Sequence, residues 1–461
     1  MTAVLDGVRA RLRNVRTNGG ADEPAGRFLD RPFATVQLLV LCGIGLLGFG
    51  VLMAVSTTIA AAHDGGGGSI WAQSVKEAEF IAIGLVLFWF AARLSPRGFR
   101  FLAYPMLAMA LVALFAVLVP GIGVQILGAR RWIDVGPLQL QPSELAKIGV
   151  LLWGADLLAR KQQLGTLKRA RHLFVPLLPG FAFVAMLVML EPDLGTTLTF
   201  ILILLGLLWT IGMPLRYFSA VVVMVGLAVT ALAVSAPYRL QRLLTFTDPW
   251  KDAKGSGYHT VEGLYALASG GVFGVGLGQG TSKYGWVPNA NSDFVFAIIG
   301  EELGLIGCLA VLLLFGLLAY TGMRLVRRSV DPFARLAAGG ATIWLSGQAV
   351  INIGYVTGLL PVTGIPLPLI SAGGTSLLVT FFVFGMLVAF ARHEAPAVTA
   401  ARRAHRLGRR SRLERWCRIP CPQPYVPPKR RRTTKPMTRS APQRTPTPAR
   451  VRAPAARKRA S

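Results

Sequence analysis

Charged side chains stand at the ends of several long apolar segments of this sequence. Asp293 opens an apolar run, and Glu144 and Lys147 lie three residues apart at the start of another. A carboxylate at the mouth of an apolar segment has its pKa raised by desolvation, which suits it to remove a proton from a hydroxyl. A cation such as Lys147 suits the binding of a phosphate. These residue types indicate a site that could deprotonate a hydroxyl close to a bound anion.

Each of these residues also has a structural interpretation. Glu144 and Lys147 share one helix face at i, i+3 and could neutralise each other so that the helix enters a membrane. Asp293 follows an Asn-Ser pair and could cap a helix, and Asp193, in the segment EPDLGT, could cap another. The sequence therefore leaves a chemical role and a structural role open for each residue.

The composition excludes a soluble enzyme. Of the 461 residues, 53% are hydrophobic and only 15% are charged, whereas about a quarter of the residues in a soluble domain are charged. Ten apolar segments of roughly the length that spans a bilayer recur along the chain. The sequence predicts an all-α polytopic membrane protein with about ten transmembrane helices, near residues 34–57, 77–95, 101–121, 144–160, 173–190, 195–212, 216–236, 294–324, 334–358 and 375–391.

The distribution of positive charge predicts the orientation. Lys and Arg concentrate in the even-numbered connections and after the last segment. Because such residues favour the cytoplasmic side of a membrane, we expect the protein to lie in the cytoplasmic membrane with both termini in the cytoplasm. Arg130 and Arg131, in the third connection, are the exception on the outer side. Together with Lys147 they would form a cationic cluster for the anionic group of a lipid-linked substrate, since arginine suits bidentate contact with phosphate.

Four regions follow from this topology. Residues 1–33 form a cytoplasmic segment, 34–391 the ten-span domain, and 392–461 a cytoplasmic tail. A large extracytoplasmic loop, residues 237–292, lies between spans seven and eight, and loops of such length tend to be functional. Within it, residues 258–269 are expected to form a short helix at the membrane interface.

The tail carries much of the charge. It holds 21 of the 49 Lys and Arg residues against two acids, within a formal net charge of +28. Its Pro-, Arg- and Thr-rich composition predicts disorder, and its basic clusters suit the binding of anionic membrane lipids. The sequence contains no nucleotide-binding loop and no DNA-binding motif, so neither nucleotide coupling nor a nucleic-acid partner is expected.

Several blocks of sequence, taken in order and spacing, carry a resemblance. The chain resembles the SEDS family, the shape, elongation, division and sporulation proteins, which are bacterial membrane glycosyltransferases, and is more similar to the cell-division members than to the elongation members. The matching blocks are GARRWI at 128–133, QPSELAK at 141–147, EPDLGT at 191–196, SDFVFAIIGEELG at 292–304, LPVTGIPLP at 360–368 and SAGG at 371–374.

The resemblance implies a ten-span SEDS fold that polymerises lipid II into glycan strands at the outer face of the cytoplasmic membrane, during septal cell-wall synthesis. It implies as partners a class B penicillin-binding protein of the FtsI type, which cross-links the strands, and other divisome proteins. Pyrophosphate is already a good leaving group, so the chemistry is compatible with a divalent cation, Mg²⁺ or Mn²⁺, without requiring one, and no metal ligands are assigned.

The resemblance also assigns residues. The essential aspartate of the family falls on Asp293, and its outer Glu and Lys fall on Glu144 and Lys147. Glu191 stands where Gln is common in the family, and Ala372 where Tyr is common. The candidate substrate-binding residues are therefore Arg130, Arg131, Glu144, Lys147, Asp193 and Ser371, with Asp293 as the catalytic residue.

Two other functions remain open from the sequence. A flippase for lipid II would need polar groups through the membrane midplane, and only Glu301 and Glu302, inside span eight, favour it. A polymerase of the elongation type would differ from the division type in its partner and cellular role. Placement of the charges at the outer mouth favours the polymerase over the flippase.

Overall fold

The computed structural model describes residues 28–63, 70–126, 129–136, 138–166, 174–234, 245–255, 257–288, 290–407 and 420–427. Gly128 of the first family block, the predicted cytoplasmic segment through residue 27, and tail residues 408–419 and 428–461 lie outside the described residues. The described chain up to Pro424 belongs to one compact unit, and Tyr425–Ser461 is counted as another.

The fold is built mostly from helices. In chain order they are α1 Ala34–His63, α2 Ile70–Arg93, α3 Pro96–Leu118, α4 Pro142–Leu164, α5 Leu177–Leu190, α6 Leu194–Thr210, α7 Leu215–Val234, α8 Tyr258–Ser269, α9 Val295–Arg328, α10 Pro332–Val356, α11 Gly374–Arg392 and α12 Ala395–Arg406.

Each of the ten predicted apolar segments coincides with one of the long helices α1–α7 and α9–α11, and the chain is a multi-pass helical membrane protein. Among the described residues, five helices (α1, α3, α9, α10 and α11) are long and apolar enough to cross a membrane by length and composition, and α5, α6 and α7 are shorter apolar helices. The helical fold class is confirmed, whereas ten as the number of spans stays a prediction.

Local signals in the sequence explain where several helices begin. Ser95 precedes α3 and its hydroxyl accepts from Gly98 N at 3.3 Å. Asp331 precedes α10 and its carboxylate accepts from Phe333 N at 3.0 Å. In α3, α4 and α10 a proline stands in the first helical positions, where its missing N–H has no helical acceptor to lose.

A small antiparallel sheet of three strands interrupts the all-helical pattern between α3 and α4. The strands are β1 Gly123–Ile126, β2 Ala129–Val135 and β3 Leu138–Leu140, in the order β1-β2-β3. The all-α prediction missed this sheet, because its strands have only 4, 7 and 3 residues and give a weak periodic signal. The sheet carries Arg130 and Arg131 on β2.

Helices α10 and α11 form the interior of the bundle. Nearly every residue of α11 is buried, which is the pattern of a helix that is apolar all round and surrounded by others. Helix α10 packs against α4, α6 and α9, and α11 packs against α2. Polar side chains on the buried face of α10, such as Gln348 and Asn352, are therefore surrounded by protein.

Helix α9 is broken at Gly304, which has φ +66° and ψ −163°. A Cβ at Gly304 would lie 2.4 Å from Gly274 N, so the position requires glycine for space as well as for conformation. The glycine-rich loop (residues 270–283) fills the break. It donates from Val275 N to Glu301 O at 2.9 Å and accepts at Gly271 O from Leu305 N at 3.0 Å. The predicted span eight, 294–324, therefore contains a break, which is tolerated because a distant loop supplies the hydrogen bonds that the helix gives up.

Two predictions outside the spans have different outcomes. The predicted helix at 258–269 is present as α8 Tyr258–Ser269. The prediction that the tail is disordered from residue 392 is wrong for its first part, since α12 follows α11 and buries Ala397 and Val398. Alanine is the strongest helix former, and α12 is rich in alanine. The prediction relied on the Pro- and Arg-rich composition of the whole tail and so overlooked this alanine-rich segment. Further along, Pro420 O accepts a hydrogen bond from Arg392 Nη2 at 2.8 Å.

Candidate active site

Asp293 lies at the start of α9, one residue before the N-cap position Phe294. It is partly exposed, whereas Phe294 and the four residues that follow it are buried. The loop between α10 and α11 (residues 357–373, the α10–α11 loop) passes beside it, since a Cβ added to Gly364 would lie 3.6 Å from Oδ2 of Asp293. The structure thus presents the Asp293 carboxylate at the mouth of an apolar helix, beside a loop of the predicted family signature.

The backbone around Asp293 is held by side chains from α10. Asn352 Nδ2 lies 3.0 Å and Tyr355 OH 2.9 Å from Asp293 O, and both groups donate. The same two groups lie 2.7 and 2.9 Å from Ile365 O in the α10–α11 loop. Asn352 and Tyr355 therefore tie the Asp293 segment to that loop. The sequence analysis missed both residues. The one sign of them in the sequence is that an Asn and a Tyr stand one helical turn apart in an apolar span.

Ser371, a predicted substrate-binding residue, belongs to the same network. Its buried hydroxyl donates to Ser292 O at 2.6 Å and accepts from Leu367 N at 2.8 Å. Ala372 N donates to Asn291 O at 3.0 Å. The structure gives Ser371 a supporting contact beside Asp293, and its contact with a substrate stays a prediction.

Glu144 and Lys147 form the predicted pair at the start of α4. Lys147 Nζ lies 2.6 Å from Glu144 Oε1, and the residues are 1% and 4% exposed. Lys147 Nζ also lies 5.7 Å from the ring centre of Trp344 on α10, within the range of a cation–π contact. Glu144 Oε2 has no hydrogen-bond partner in the part of the chain that the structure describes. The ion pair is confirmed, and a substrate role for either residue stays a prediction.

Arg130 and Arg131 have different surroundings. Arg131 Nε donates to Glu191 O at 2.9 Å, and its Nη2 donates to Pro192 O, so β2 is fastened to the turn between α5 and α6. Arg130 is partly buried and packs its aliphatic stem toward Gly123 on β1. The pairing of β1 with β2 shifts register here, because Gln125 opposes Arg130 and Val124 opposes Trp132, which leaves Arg131 without a paired residue on β1. The two arginines therefore make different contacts, although the sequence treated them as one cluster.

Asp193 caps α6. Its Oδ1 accepts from Thr196 N at 2.9 Å, and its Oδ2 accepts from Thr196 Oγ1 at 2.7 Å and from Gln141 Nε2 at 3.0 Å. The capping interpretation is confirmed. A contact of Asp193 with substrate stays a prediction, and its bond to Gln141 joins the turn between α5 and α6 to the start of α4.

Glu191 is the buried acid of this region. It is 1% exposed, and neither carboxyl oxygen has a hydrogen-bond partner among the described residues. The pKa of Glu191 is raised to about 8, chiefly by burial and also by the neighbouring charge of Asp193, while Arg131 opposes both effects. A protonated Glu has nearly the shape and hydrogen-bonding capacity of the Gln that is common here in the resembling family. Glu191 is therefore mainly neutral at pH 7.

We expect the stability of the protein to fall with rising pH because of Glu191. The pKa of Glu191 is about 8 in the folded chain and about 4.5 when exposed, so the folded state holds the proton more tightly. The contribution of the Glu191 proton to the free energy of unfolding is fully present below pH 4.5. It is lost as the pH rises from about 4.5 to about 8, at up to about 1.4 kcal/mol per pH unit. Glu191→Gln should remove this loss, as thermal unfolding between pH 5 and 9 would measure.

Asp134→Asn, at an exposed position outside the predicted spans, is the matched control. Parallel pH profiles for the wild type and Glu191→Gln would contradict the assignment.

Glu301 and Glu302 anchor the glycine-rich loop. Lys283 Nζ, which is fully buried, lies 2.7 Å from Glu302 Oε1, 2.8 Å from Ser56 Oγ on α1 and 2.8 Å from Gly278 O. Glu301 Oε1 accepts from the backbone N–H groups of residues 281 and 282 at 2.8 and 3.1 Å. Sequence reasoning missed Lys283, because nothing near it in the chain marks a partner 19 residues away.

A cavity of about 190 Å³ lies between α1, α2 and the α10–α11 loop. Its wall includes Asn291 and Ser371, which belong to the segments that hold Asp293. The remaining wall is largely apolar, with Lys76 and Glu77 as its charged members. The cavity could accept an apolar part of a lipid-linked molecule next to the Asp293 segment.

The described residues offer no protein cage for the Mg²⁺ or Mn²⁺ considered from the sequence. Within the described ranges, no group of three or more His, Cys, Asp and Glu side chains is placed to hold a metal ion.

The fold and the site define a multi-pass helical membrane protein with a charged site at one end of its bundle. Residues 36–395 match the family model described as cell cycle protein, which covers FtsW, RodA and SpoVE. The chain belongs to this family.

Relatives named in the same family cover most of the chain. A probable peptidoglycan glycosyltransferase FtsW of Mycobacterium tuberculosis is 44% identical over 418 residues, which are 90% of this chain and 78% of that protein. The stage V sporulation protein E of Bacillus subtilis is 35% identical over 367 residues, which are 77% of this chain and 96% of that protein.

Solved structures agree in fold. A chain from a peptidoglycan synthase complex, described as coordinating polymerization and crosslinking, has a TM-score of 0.62 and 30% identity, and the match covers 77% of this chain and 96% of that one. The rod shape determining protein RodA of Thermus thermophilus has a TM-score of 0.56 and 28% identity, with the same coverage.

Proposed function

We propose that this protein is a peptidoglycan glycosyltransferase that polymerises lipid II into glycan strands during septal cell-wall synthesis. The relatives named as peptidoglycan glycosyltransferases support the activity. The observation that carries the assignment of the site is the position of Asp293. Its carboxylate is partly exposed at the mouth of a buried helix, and side chains from α10 hold its backbone in place.

Asp293 acts as the general base in this proposal. Its carboxylate removes the proton from the 4-hydroxyl of the acceptor sugar, and the oxygen attacks the anomeric carbon of the donor sugar. The bond from that carbon to the pyrophosphate breaks, and the pyrophosphate leaves with the electron pair. Arg130 and Lys147 are the cations proposed to stabilise its charge. The proton on Asp293 then passes to solvent, which resets the carboxylate.

The proposed setting is the cytoplasmic membrane at the division septum. Both termini are proposed to be cytoplasmic, because Lys and Arg concentrate in the even-numbered connections. The domain boundaries keep their sequence-based positions: 1–33, 34–391 with the extracytoplasmic loop 237–292, and 392–461. This orientation places Asp293, Glu144 and Lys147 at the outer face, where lipid II would be polymerised.

The proposed partner is a class B penicillin-binding protein of the FtsI type, together with other divisome proteins. The similar chain in a peptidoglycan synthase complex that coordinates polymerization and crosslinking supports a partner of this kind. The relative named FtsW is 44% identical, whereas the rod shape determining protein RodA is 28% identical, which supports the division role over the elongation role.

The flippase alternative loses the two residues that favoured it. Glu301 and Glu302 accept hydrogen bonds from the glycine-rich loop and from Lys283, so both carboxylates have structural partners. The deciding experiment incubates the purified protein, alone and with its candidate transpeptidase, with labelled lipid II and separates the products. Polymer supports the proposal. Lipid II that crosses vesicle membranes without any polymer would replace it with the flippase.

We also propose that the basic tail binds anionic lipid at the cytoplasmic surface. Arg402, Arg403 and Arg406 lie together on the exposed face of α12. Each cation near an anionic membrane contributes about 1 kcal/mol. This role is independent of the polymerase site at the other end of the bundle.

Truncation after Leu407 should therefore leave polymerisation in detergent within about twofold of the full chain. The change removes most of the tail but keeps α12, whose Ala397 and Val398 are buried. Truncation after Arg392 is the contrasting variant, because it removes α12 and should lower the thermal unfolding temperature. Strong loss of polymer by a folded protein that ends at Leu407 would mean that the tail takes part in catalysis.

A further inference from the structure

Four buried side chains form a stripe on one face of α10. Trp344, Gln348, Asn352 and Tyr355 follow one another at spacings of four, four and three residues, which places them on the same side of a helix. All four are at most 2% exposed. Polar side chains within a membrane-spanning helix are costly and serve a function by default. The polar atoms of this stripe are therefore expected to bind specific groups within the protein.

The stripe holds two backbone segments at once. Gln348 Nε2 donates to Pro366 O at 2.8 Å, and Gln348 Oε1 accepts from Trp344 Nε1 at 2.8 Å. One turn further along, Asn352 and Tyr355 bind Asp293 O and Ile365 O. Three neighbouring carbonyls from two separate segments thus accept from a single helix face.

The same face also reaches the ion pair at the start of α4. The ring of Trp344 lies 5.7 Å from Lys147 Nζ. Helix α10 therefore contacts both the proposed phosphate-binding cation and the backbone of the proposed base. A rigid helix between them would fix the distance between the two groups, and positioning of reacting groups is worth large factors in rate.

Asn352 and Tyr355 are not equivalent in this arrangement. The amide of Asn352 has two hydrogens, and its nitrogen lies within 3.0 Å of Asp293 O, Ile365 O and Tyr355 OH. The hydroxyl of Tyr355 has one hydrogen, so it can donate to only one of the two carbonyls at a time. Without the tyrosine hydroxyl, Asn352 can still bond both carbonyls. Without the amide, one hydroxyl is left to serve two buried acceptors.

We propose that Asn352 is the positioning residue for Asp293 and that Tyr355 supports it. The proposal rests on the assignment of Asp293 as the general base. Asn352 acts on the main chain of Asp293 and so sets the direction of its carboxylate without touching substrate. The contacts of the α10 stripe then couple the geometry of the base to that of the α10–α11 loop.

The test compares Asn352→Leu with Tyr355→Phe in the purified full-length protein, with labelled lipid II as substrate. Asn352→Leu should lower kcat about 10²-fold with KM changed less than threefold, because the base is misdirected while the binding groups remain. Tyr355→Phe should stay within about fivefold of the wild type. A kcat for Asn352→Leu within threefold of the wild type, or a larger loss for Tyr355→Phe, would overturn the proposal.

Two further variants separate positioning from general loss of structure. In the Asp293→Asn background, Asn352→Leu should cause no additional loss of the residual rate, since residues that act as a unit are not additive. If Asn352→Leu cannot be purified folded, Asn352→Gln keeps the amide but displaces it by one methylene and should lower kcat about tenfold, and an unchanged kcat contradicts the inference.

The outcome also distinguishes this inference from the proposed function. Normal polymerisation by Asp293→Asn would remove the general base and the inference together. An inactive Asp293→Asn beside a fully active Asn352→Leu would remove only the positioning role of Asn352.

Discussion

Asp293→Asn should reduce lipid II polymerisation to a small residual rate while the protein still folds and inserts into the membrane. Asparagine keeps the size of the side chain but cannot accept the proton of a hydroxyl, and loss of a general base lowers rates by about 10²–10⁴-fold. The contacts from Asn352 and Tyr355 reach the main-chain oxygen of residue 293, so the substitution leaves them in place. The measurement is polymer yield from labelled lipid II at matched protein concentration.

Asp134→Asn is the matched control for this experiment. Asp134 is an exposed acid on β2, and its loss should leave polymerisation near the wild-type level. Near-normal polymer from a stable Asp293→Asn protein would refute the assignment of the base.

Lys147→Met should produce the largest loss of stability among the substitutions considered. It leaves the Glu144 carboxylate buried without its ion-pair partner. Removing one partner of a buried pair typically costs about 3–5 kcal/mol. Glu144→Gln together with Lys147→Met removes both charges and should recover most of this loss, as thermal unfolding of the four proteins in the cycle would measure.

Lipid II affinity in the same four proteins separates the two interpretations of Lys147. If Lys147 contacts the pyrophosphate, as proposed, affinity stays about tenfold weaker in the double variant although stability returns. If stability and lipid II affinity both recover in the double variant, Lys147 serves the ion pair alone. The coupling between Glu144 and Lys147 would then account for the whole loss of affinity in Lys147→Met.

Features set by local sequence could be predicted. Helix α6, expected near 195–212, is Leu194–Thr210, and α11, expected near 375–391, is Gly374–Arg392. The Glu144–Lys147 pair and the cap at Asp193 also depend on residues three positions apart. Apolar length and i, i+3 spacing are properties of a short window, so the sequence displays them directly.

Features that depend on distant partners could not be predicted. The break at Gly304 needs the glycine-rich loop about 30 residues earlier, and the role of Asn352 needs Asp293 and Ile365, 59 and 13 residues away. A glycine or an asparagine in an apolar span gives no sign of which carbonyl it will meet. Glu301 and Glu302 appeared to favour transport for the same reason, since Lys283 as the partner of Glu302 was not visible in the sequence.

The break in α9 divides that helix into two mechanical parts. Residues 295–303 are bonded to the glycine-rich loop through Glu301 O and the Lys283–Glu302 pair, and residues 305–328 are bonded to the same loop through Leu305 N, so the loop bridges the break. Asp293 stands at the far end of the shorter part. The glycine-rich loop therefore holds the two parts of α9 in one fixed orientation, so a substitution that loosens this loop would free the short part to turn at Gly304 and would displace the Asp293 carboxylate.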